Sequence, residues 1–182
     1  MQFDISVYGP EVASILALDG DGHRLMPLAR GHCSSTEAAR RLKNADPKQL
    51  FPNARAPEAA LSGLWLYFSC LEESHSISQE IHTTDGSFWH GIMHRQEPDA
   101  DNAAYWFRRV KRHPVFDPLR ERVAELSSHA AFRIGENWDP FAFIDFCDTA
   151  REKPGSPEER LALEIQRVEW QLLFDHCARP RG

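Results

Sequence analysis

Apolar residues recur at every third or fourth position along most of this chain, as they do on the buried face of an α-helix. A clear series with this spacing is Leu61, Leu64, Phe68 and Leu71. No segment alternates apolar and polar residues for long enough to require a β-strand, and the nearest exception, residues 3–8, is short. The pattern therefore predicts an all-α fold.

Short breaks marked by proline or glycine divide this pattern into predicted helices. The helices cover residues 9–18, 35–44, 57–82, 87–97, 99–112, 117–134, 139–152 and 156–178. Proline near the first helical position is favourable because its missing N–H would be unpaired there anyway. Such prolines are Pro10, Pro57, Pro118, Pro140 and Pro157. The predicted N-caps are Asp117, Asp139 and Ser156, the last in a capping box with Glu159. We expect a single helical domain, residues 1–182, built as a bundle of about seven helices.

The predicted helix 57–82 changes character along one face. The spacing of its apolar residues continues to His75, Ser78 and His82, so this face passes from apolar side chains to imidazoles. In one interpretation the bundle interior becomes polar at one end, where facing helices build metal and ligand sites. In the other, the helix ends near Ser76 and the histidines lie on the surface. The sequence leaves both open.

Composition narrows the class of protein. The chain has 182 residues, 42% of them hydrophobic, and a formal net charge of -6, which counts against nucleic acid as a partner. No apolar run approaches the roughly 20 residues that a membrane span needs. The N-terminal residues lack the basic start and apolar run of a signal peptide.

The cysteines indicate a reducing environment. The four cysteines form no C-x-x-C pair. Cys70 and Cys147 lie among apolar residues, so we expect them to be small core residues and the protein to be cytoplasmic.

The chemistry of the chain concentrates around the predicted helix 87–97. His90, His94 and Glu97 share one face of that helix, and an imidazole pair four residues apart can reach one ion from adjacent turns. Two histidines with a carboxylate bind a divalent ion such as Zn, Fe, Mn or Ni and leave positions open for water or substrate. The predicted metal ligands are His75, His82, His90, His94 and Glu97.

Two alternatives use the same residues without a metal. One is a metal-free acid–base site with the catalytic groups His94, Glu97, Asp99 and Tyr105. The other is an amphipathic helix whose imidazoles meet water. Whether the enzyme uses a metal or only acid–base groups, we expect an anionic substrate, because guanidinium groups match carboxylate and phosphate geometry. The predicted substrate-binding residues are Arg95, Asn102, Arg108 and Arg109.

A longer stretch around this helix resembles a family of uncharacterised proteins from bacteria and fungi. The resemblance rests on SFWHGIMHR (87–95), on Glu97 and Asp99, on NAAYWFRR (102–109, with one variable position) and on HP (113–114), within residues 73–116. It implies that these residues act as one unit, and it implies no particular activity.

These observations favour a small-molecule enzyme with a histidine and glutamate site in a helical bundle that acts on an anionic substrate. If this site binds a metal, the enzyme would be a hydrolase or lyase. The alternative is a non-catalytic protein that binds such a molecule through an arginine and aromatic face. P-loop, Rossmann and α/β-hydrolase motifs do not occur in the sequence, which counts against those chemistries.

Overall fold

A computed structural model of the chain describes residues 3–126 and 132–181. Within these ranges the regular structure is entirely helical, with ten α-helices and no strand, so the predicted all-α class is confirmed. The helices are α1 (Pro10–Leu16), α2 (Thr36–Leu42), α3 (Pro47–Leu50), α4 (Pro57–Tyr67), α5 (Leu71–Ser78), α6 (Thr84–Gln96), α7 (Ala100–Val110), α8 (Phe116–Leu126), α9 (Pro140–Arg151) and α10 (Pro157–Ala178). Residues 5–8, in the segment closest to a strand pattern, form a 3₁₀ turn.

The predicted helix 57–82 is wrong, because the chain breaks it into α4 and α5. Ser69 adopts the left-handed conformation, with φ 60°. Its N–H donates to the Leu66 carbonyl and the Cys70 N–H donates to the Trp65 carbonyl, which is the hydrogen-bond pattern of a Schellman C-cap. Glycine normally occupies the left-handed position, so a serine there gives no sequence signal. This break and the short α3 are two reasons why the described residues form more α-helices than the predicted number of about seven.

Helix α5 folds back alongside α4 after this break. The Ser62 hydroxyl of α4 donates to the Ser74 carbonyl of α5 over 3.1 Å, and both side chains are fully buried. The direction of α5 is therefore reversed relative to a continuous helix. As a result, His75 and Ser78 lie against α6, whereas in one continuous helix they would lie beyond the end of α4.

Several predicted helix starts are confirmed. Asp139 accepts hydrogen bonds from the Phe141 and Ala142 N–H groups at the start of α9. Ser156 accepts from the Glu159 N–H at the start of α10. Prolines occupy the first turns of α1, α4, α9 and α10 as predicted.

The predicted start and end of α8 are wrong. The helix begins at Phe116, so Asp117 lies inside its first turn and is not the N-cap. Residues 132–134, predicted to end this helix, are not helical. Residues 127–131, which include His129, lie outside the described residues.

One connected core of buried side chains links the helices. The long helix α10 contacts α4, α8 and α9, and the Trp170 indole N–H of α10 donates to the Gly63 carbonyl of α4 over 2.8 Å. Helix α6 packs closely on α7, because a Cβ atom at Gly91 would lie 2.9 Å from the Phe107 ring. This close approach places the aromatic side of α7 against the imidazoles of α6.

The cysteines do not all behave as predicted. Cys33 and Cys70 form a disulfide that joins the loop before α2 to the start of α5. Cys70 is buried as expected, but its pairing was not predicted, because the two residues are 37 positions apart. Cys147 and Cys177 are buried free thiols. In the described part of the chain, no helix combines the length and apolarity that crossing a membrane requires.

Candidate functional site: a three-histidine cluster

Three imidazoles from two helices meet between α5 and α6. His90 and His94 lie one turn apart on α6, with ring centroids 4.8 Å apart. His75 of α5 lies over both, with centroid distances of 4.7 Å to His90 and 5.6 Å to His94. Each residue offers a ring nitrogen within 4.8 Å of the other two, so small movements of the rings would bring all three within reach of one ion.

Helix α6 is buried on both of its faces, which favours a polar interior over an amphipathic surface helix. Phe88 and Trp89 are fully buried on one side, while His90 is 2% and His94 is 8% exposed on the other. Thr83 fixes the start of the helix, because its hydroxyl accepts from the Gly86 N–H. The imidazoles therefore occupy the interior, where polar groups need partners.

His90 has a partner that orients its ring. The Ser78 hydroxyl lies 2.8 Å from His90 Nδ1 and also donates to the His75 carbonyl over 3.3 Å. A hydroxyl has one proton, so while Ser78 donates to the carbonyl its oxygen accepts from the His90 Nδ1–H. This arrangement leaves Nε2 of His90 with a free lone pair.

His94 faces carboxylates instead of a hydroxyl. Its Nδ1 lies 3.3 Å from Glu97 Oε2 and 3.8 Å from Asp99 Oδ2. The atom is buried and forms no aligned hydrogen bond with the described residues. In metal sites the second ring nitrogen of a ligating histidine commonly contacts a carboxylate or another polar group, which directs Nε2 toward the ion. His94 therefore has the surroundings of a ligand.

Burial favours the neutral form of two of these imidazoles, His90 and His94. Burial, reinforced by the nearby His94 and His75, lowers the pKa of His90 to about 3. Burial also lowers the pKa of His94, although Glu97 and Asp99 act in the opposite direction. Neutral imidazole is the form that binds a metal, so these residues are ready to coordinate at neutral pH without releasing a proton.

Aromatic and cationic side chains surround the cluster. The Trp106 ring of α7 lies 4.1 Å from the His90 ring. Arg109 lies over Trp106, 5.2 Å from its centroid, and Tyr105, which is 48% exposed, packs edge-on against the same ring. Arg30, from the loop held by the disulfide, lies 3.5 Å from Glu97. Positive charge thus lies beside the acidic edge of the cluster.

The predicted site residues divide into two groups by position. The structure brings together His75, His90, His94, Glu97 and Asp99, with Asn102 bound to Asp99 over 2.7 Å. His82 is exposed in the segment between α5 and α6 and does not belong to the three-histidine group. Arg108 lies on another side of α7, in the wall of a separate cavity.

Arg95 occupies a position that the prediction did not foresee. It is 1% exposed and pairs with Glu169, which is fully buried on α10. Its guanidinium also lies 4.4 Å from the Phe143 ring centroid. These contacts join α6, α9 and α10 in the core, so Arg95 has a structural role and does not face the histidines.

Sequence reasoning missed a second histidine group. Asp85 Oδ1 lies 2.8 Å from His113 Nε2 and 3.3 Å from His176 Nε2. The Val115 N–H donates to His113 Nδ1, so Nε2 holds the proton that is donated to Asp85. A ring in this tautomer has no lone pair for a metal at Nε2. The group therefore suits a structural hydrogen-bond network better than an ion.

Two further contributors, Ser78 and Arg30, also escaped prediction as site residues. Ser78 was recognised only as part of a helical face, and a serine hydroxyl has no motif that marks it as a histidine partner. Arg30 lies more than forty residues before Glu72, its other ion-pair partner. Only the disulfide and the fold of its loop bring it to the cluster.

No protein family, curated protein or solved structure matches this chain. The resemblance found in residues 73–116 thus supplies no activity, and the function rests on the geometry of the cluster.

Proposed function

We propose that this protein is a metal-dependent enzyme in which His75, His90 and His94 hold one divalent ion. The observation that supports this most strongly is the convergence of three imidazoles, of which His90 and His94 have their Nδ1 atoms beside polar partners. Three imidazole ligands leave a position of a tetrahedral ion open for water or substrate.

The chemistry that we propose is hydrolysis or elimination on an anionic small molecule. A zinc ion held by these residues would lower the pKa of its water to about 7 and would supply a nucleophile at neutral pH. Glu97, whose side chain is 23% exposed beside His94, is placed to accept a proton. Arg30 and Arg109 supply positive charge at the rim of the cluster for an anionic group.

The first experiment measures metal in protein that is purified without a histidine tag. We expect near-stoichiometric metal, or stoichiometric uptake of Zn²⁺ or Co²⁺ by stripped protein, and loss of both in His90→Ala/His94→Ala. The matched control is His23→Ala/His32→Ala, which removes two exposed imidazoles and should bind metal normally. Failure to bind Zn, Fe, Mn or Ni, or equal loss in both double variants, would contradict the metal site.

The second experiment tests the enzymatic part with p-nitrophenyl phosphate and p-nitrophenyl acetate. Turnover should require the metal and disappear both with a chelator and in the His90→Ala/His94→Ala variant. A protein that binds its metal tightly but turns over neither ester would retain the metal site and lose its proposed hydrolytic role.

The cytoplasmic location remains a proposal, and the Cys33–Cys70 disulfide is the observation that weighs against it. Disulfides persist in oxidising compartments and are rare in the cytosol. Thiol labelling of the protein in intact cells, with Cys33→Ser as the reference, distinguishes an oxidising compartment from the cytosol. Free, labelled Cys33 would place the protein in a reducing compartment.

A further inference from the structure

A cavity separate from the histidines lies between α7, the start of α8 and the start of α9. Its volume is about 850 Å³, which is the size of many small-molecule sites. Helix α7 contributes Trp106 to the histidine cluster and Arg108 to this cavity, so the two sites use different sides of one helix.

The wall of this cavity is rich in positive charge. Four cationic side chains line it, and none of them forms an ion pair with a described residue. They are Arg108, Lys111, Arg112 and Arg133. Two carboxylates, Asp117 and Asp139, also line it, but Asp139 is occupied in capping α9. An excess of unpaired cations in a concave site favours an anion, and guanidinium groups suit phosphate in particular.

The wall also contains aromatic side chains. Phe107, Phe116, Trp138 and Phe141 line the cavity, and Phe141 is 39% exposed although it is a large apolar residue. The Trp138 ring is 6% exposed and packs on Phe132 and Phe143, so its indole N–H is closed off from the cavity. The exposed Phe141 ring is therefore the aromatic surface of this wall that is open to a ligand.

We propose that this cavity binds a small molecule that bears a phosphate group on a flat aromatic ring system. The four cations would hold the phosphate, and the exposed Phe141 ring would stack on the flat ring of the ligand. This proposal is independent of the metal site, so either one can fail without the other.

The test titrates adenosine 5′-monophosphate (AMP) into the full-length protein by calorimetry. Adenosine supplies the ring without charge and inorganic phosphate supplies the charge without a ring. We expect saturable AMP binding that is at least about tenfold tighter than either reference compound and that weakens as salt is added. No saturation by AMP at millimolar concentration would overturn the proposal. Inorganic phosphate that binds as tightly as AMP would overturn its aromatic part.

Variants locate the binding. Arg108→Gln/Arg112→Gln should weaken AMP at least about tenfold, because it removes two of the four charges. The matched control Arg40→Gln/Arg160→Gln removes two exposed arginines elsewhere and should bind AMP normally. Phe141→Ala removes the exposed ring and should weaken AMP binding several-fold. Equal loss in the two arginine variants would show non-specific attraction and overturn the site, while unchanged melting temperatures exclude misfolding as the cause.

Discussion

The Ser78 hydroxyl of α5 lies 2.8 Å from Nδ1 of His90 on α6. Both residues are buried, so water does not compete for this contact. The hydroxyl fixes the rotation of the imidazole. While it donates to the His75 carbonyl, its oxygen accepts from Nδ1 and leaves Nε2 free. Ser78 is therefore a positioning residue for the proposed metal site, even though it does not bind the ion itself.

We predict that Ser78→Ala weakens metal binding by about 10- to 100-fold, as the loss of outer partners of ligating histidines typically does. The measurement is competition with a chelating dye for Zn²⁺. Ser76→Ala is the control, because Ser76 lies on the same helix, is exposed and donates to the Glu72 carbonyl. Equal affinities for the two variants would remove Ser78 from the site.

We predict that Trp106 reports metal binding through its fluorescence. Its ring lies 4.1 Å from that of His90, so a paramagnetic ion such as Co²⁺ or Ni²⁺ bound there should quench it more strongly than the other four tryptophans. In Trp106→Phe most of the quenching should disappear while the ion still binds. The control Trp138→Phe changes a ring in the separate cavity and should quench like the unaltered protein. Quenching that survives in Trp106→Phe would place the ion elsewhere.

We predict that breaking the Arg95–Glu169 pair lowers the free energy of unfolding by about 3–5 kcal/mol, because the remaining charge would be buried without a partner. Arg95→Met tests this by urea denaturation. The double variant Arg95→Met/Glu169→Leu removes both charges and should be substantially more stable than the single variant. If the double variant were less stable than Arg95→Met, the pair would not explain the loss.

The Asp85 carboxylate should make stability depend on pH. Burial raises the pKa of Asp85, but hydrogen bonds from His113 and His176 outweigh burial and hold the pKa below its ordinary value. Such a group stabilises the fold above the carboxyl pKa of the unfolded chain, and the contribution is lost as the pH falls below it. We predict that Asp85→Asn costs about 2 kcal/mol at neutral pH and that the difference shrinks below about pH 4.

Urea denaturation of both proteins across this range measures the effect. Asp145→Asn is the reference for a carboxylate that is exposed. A stability difference for Asp85→Asn that stays constant down to about pH 3 would show that the ionised form contributes nothing.

The helical class and several helix starts could be predicted from the sequence because they depend on local interactions. The spacing of apolar residues, the prolines in first turns, and the side chains of Asp139 and Ser156 act within a few residues along the chain. The i, i+4 pair of His90 and His94 follows from helix geometry in the same way.

The break after α4 illustrates what local patterns do not reveal. The apolar spacing continues through Phe68 to Leu71, yet Ser69 turns the chain and α5 folds back on α4. His75 was expected on the same face of one long helix as Leu61, and it reaches His90 and His94 only because the helix is interrupted.

The sequence by itself determined that the protein is helical and that imidazoles and carboxylates are concentrated in α6 and the residues just after it. Only the tertiary structure decided which of them meet. It placed Arg95 in the core with Glu169, left His82 outside the cluster and brought Ser78 and Arg30 to it. Local patterns follow from short-range sterics and hydrogen bonds, whereas these pairings depend on how distant helices pack, which no single segment specifies.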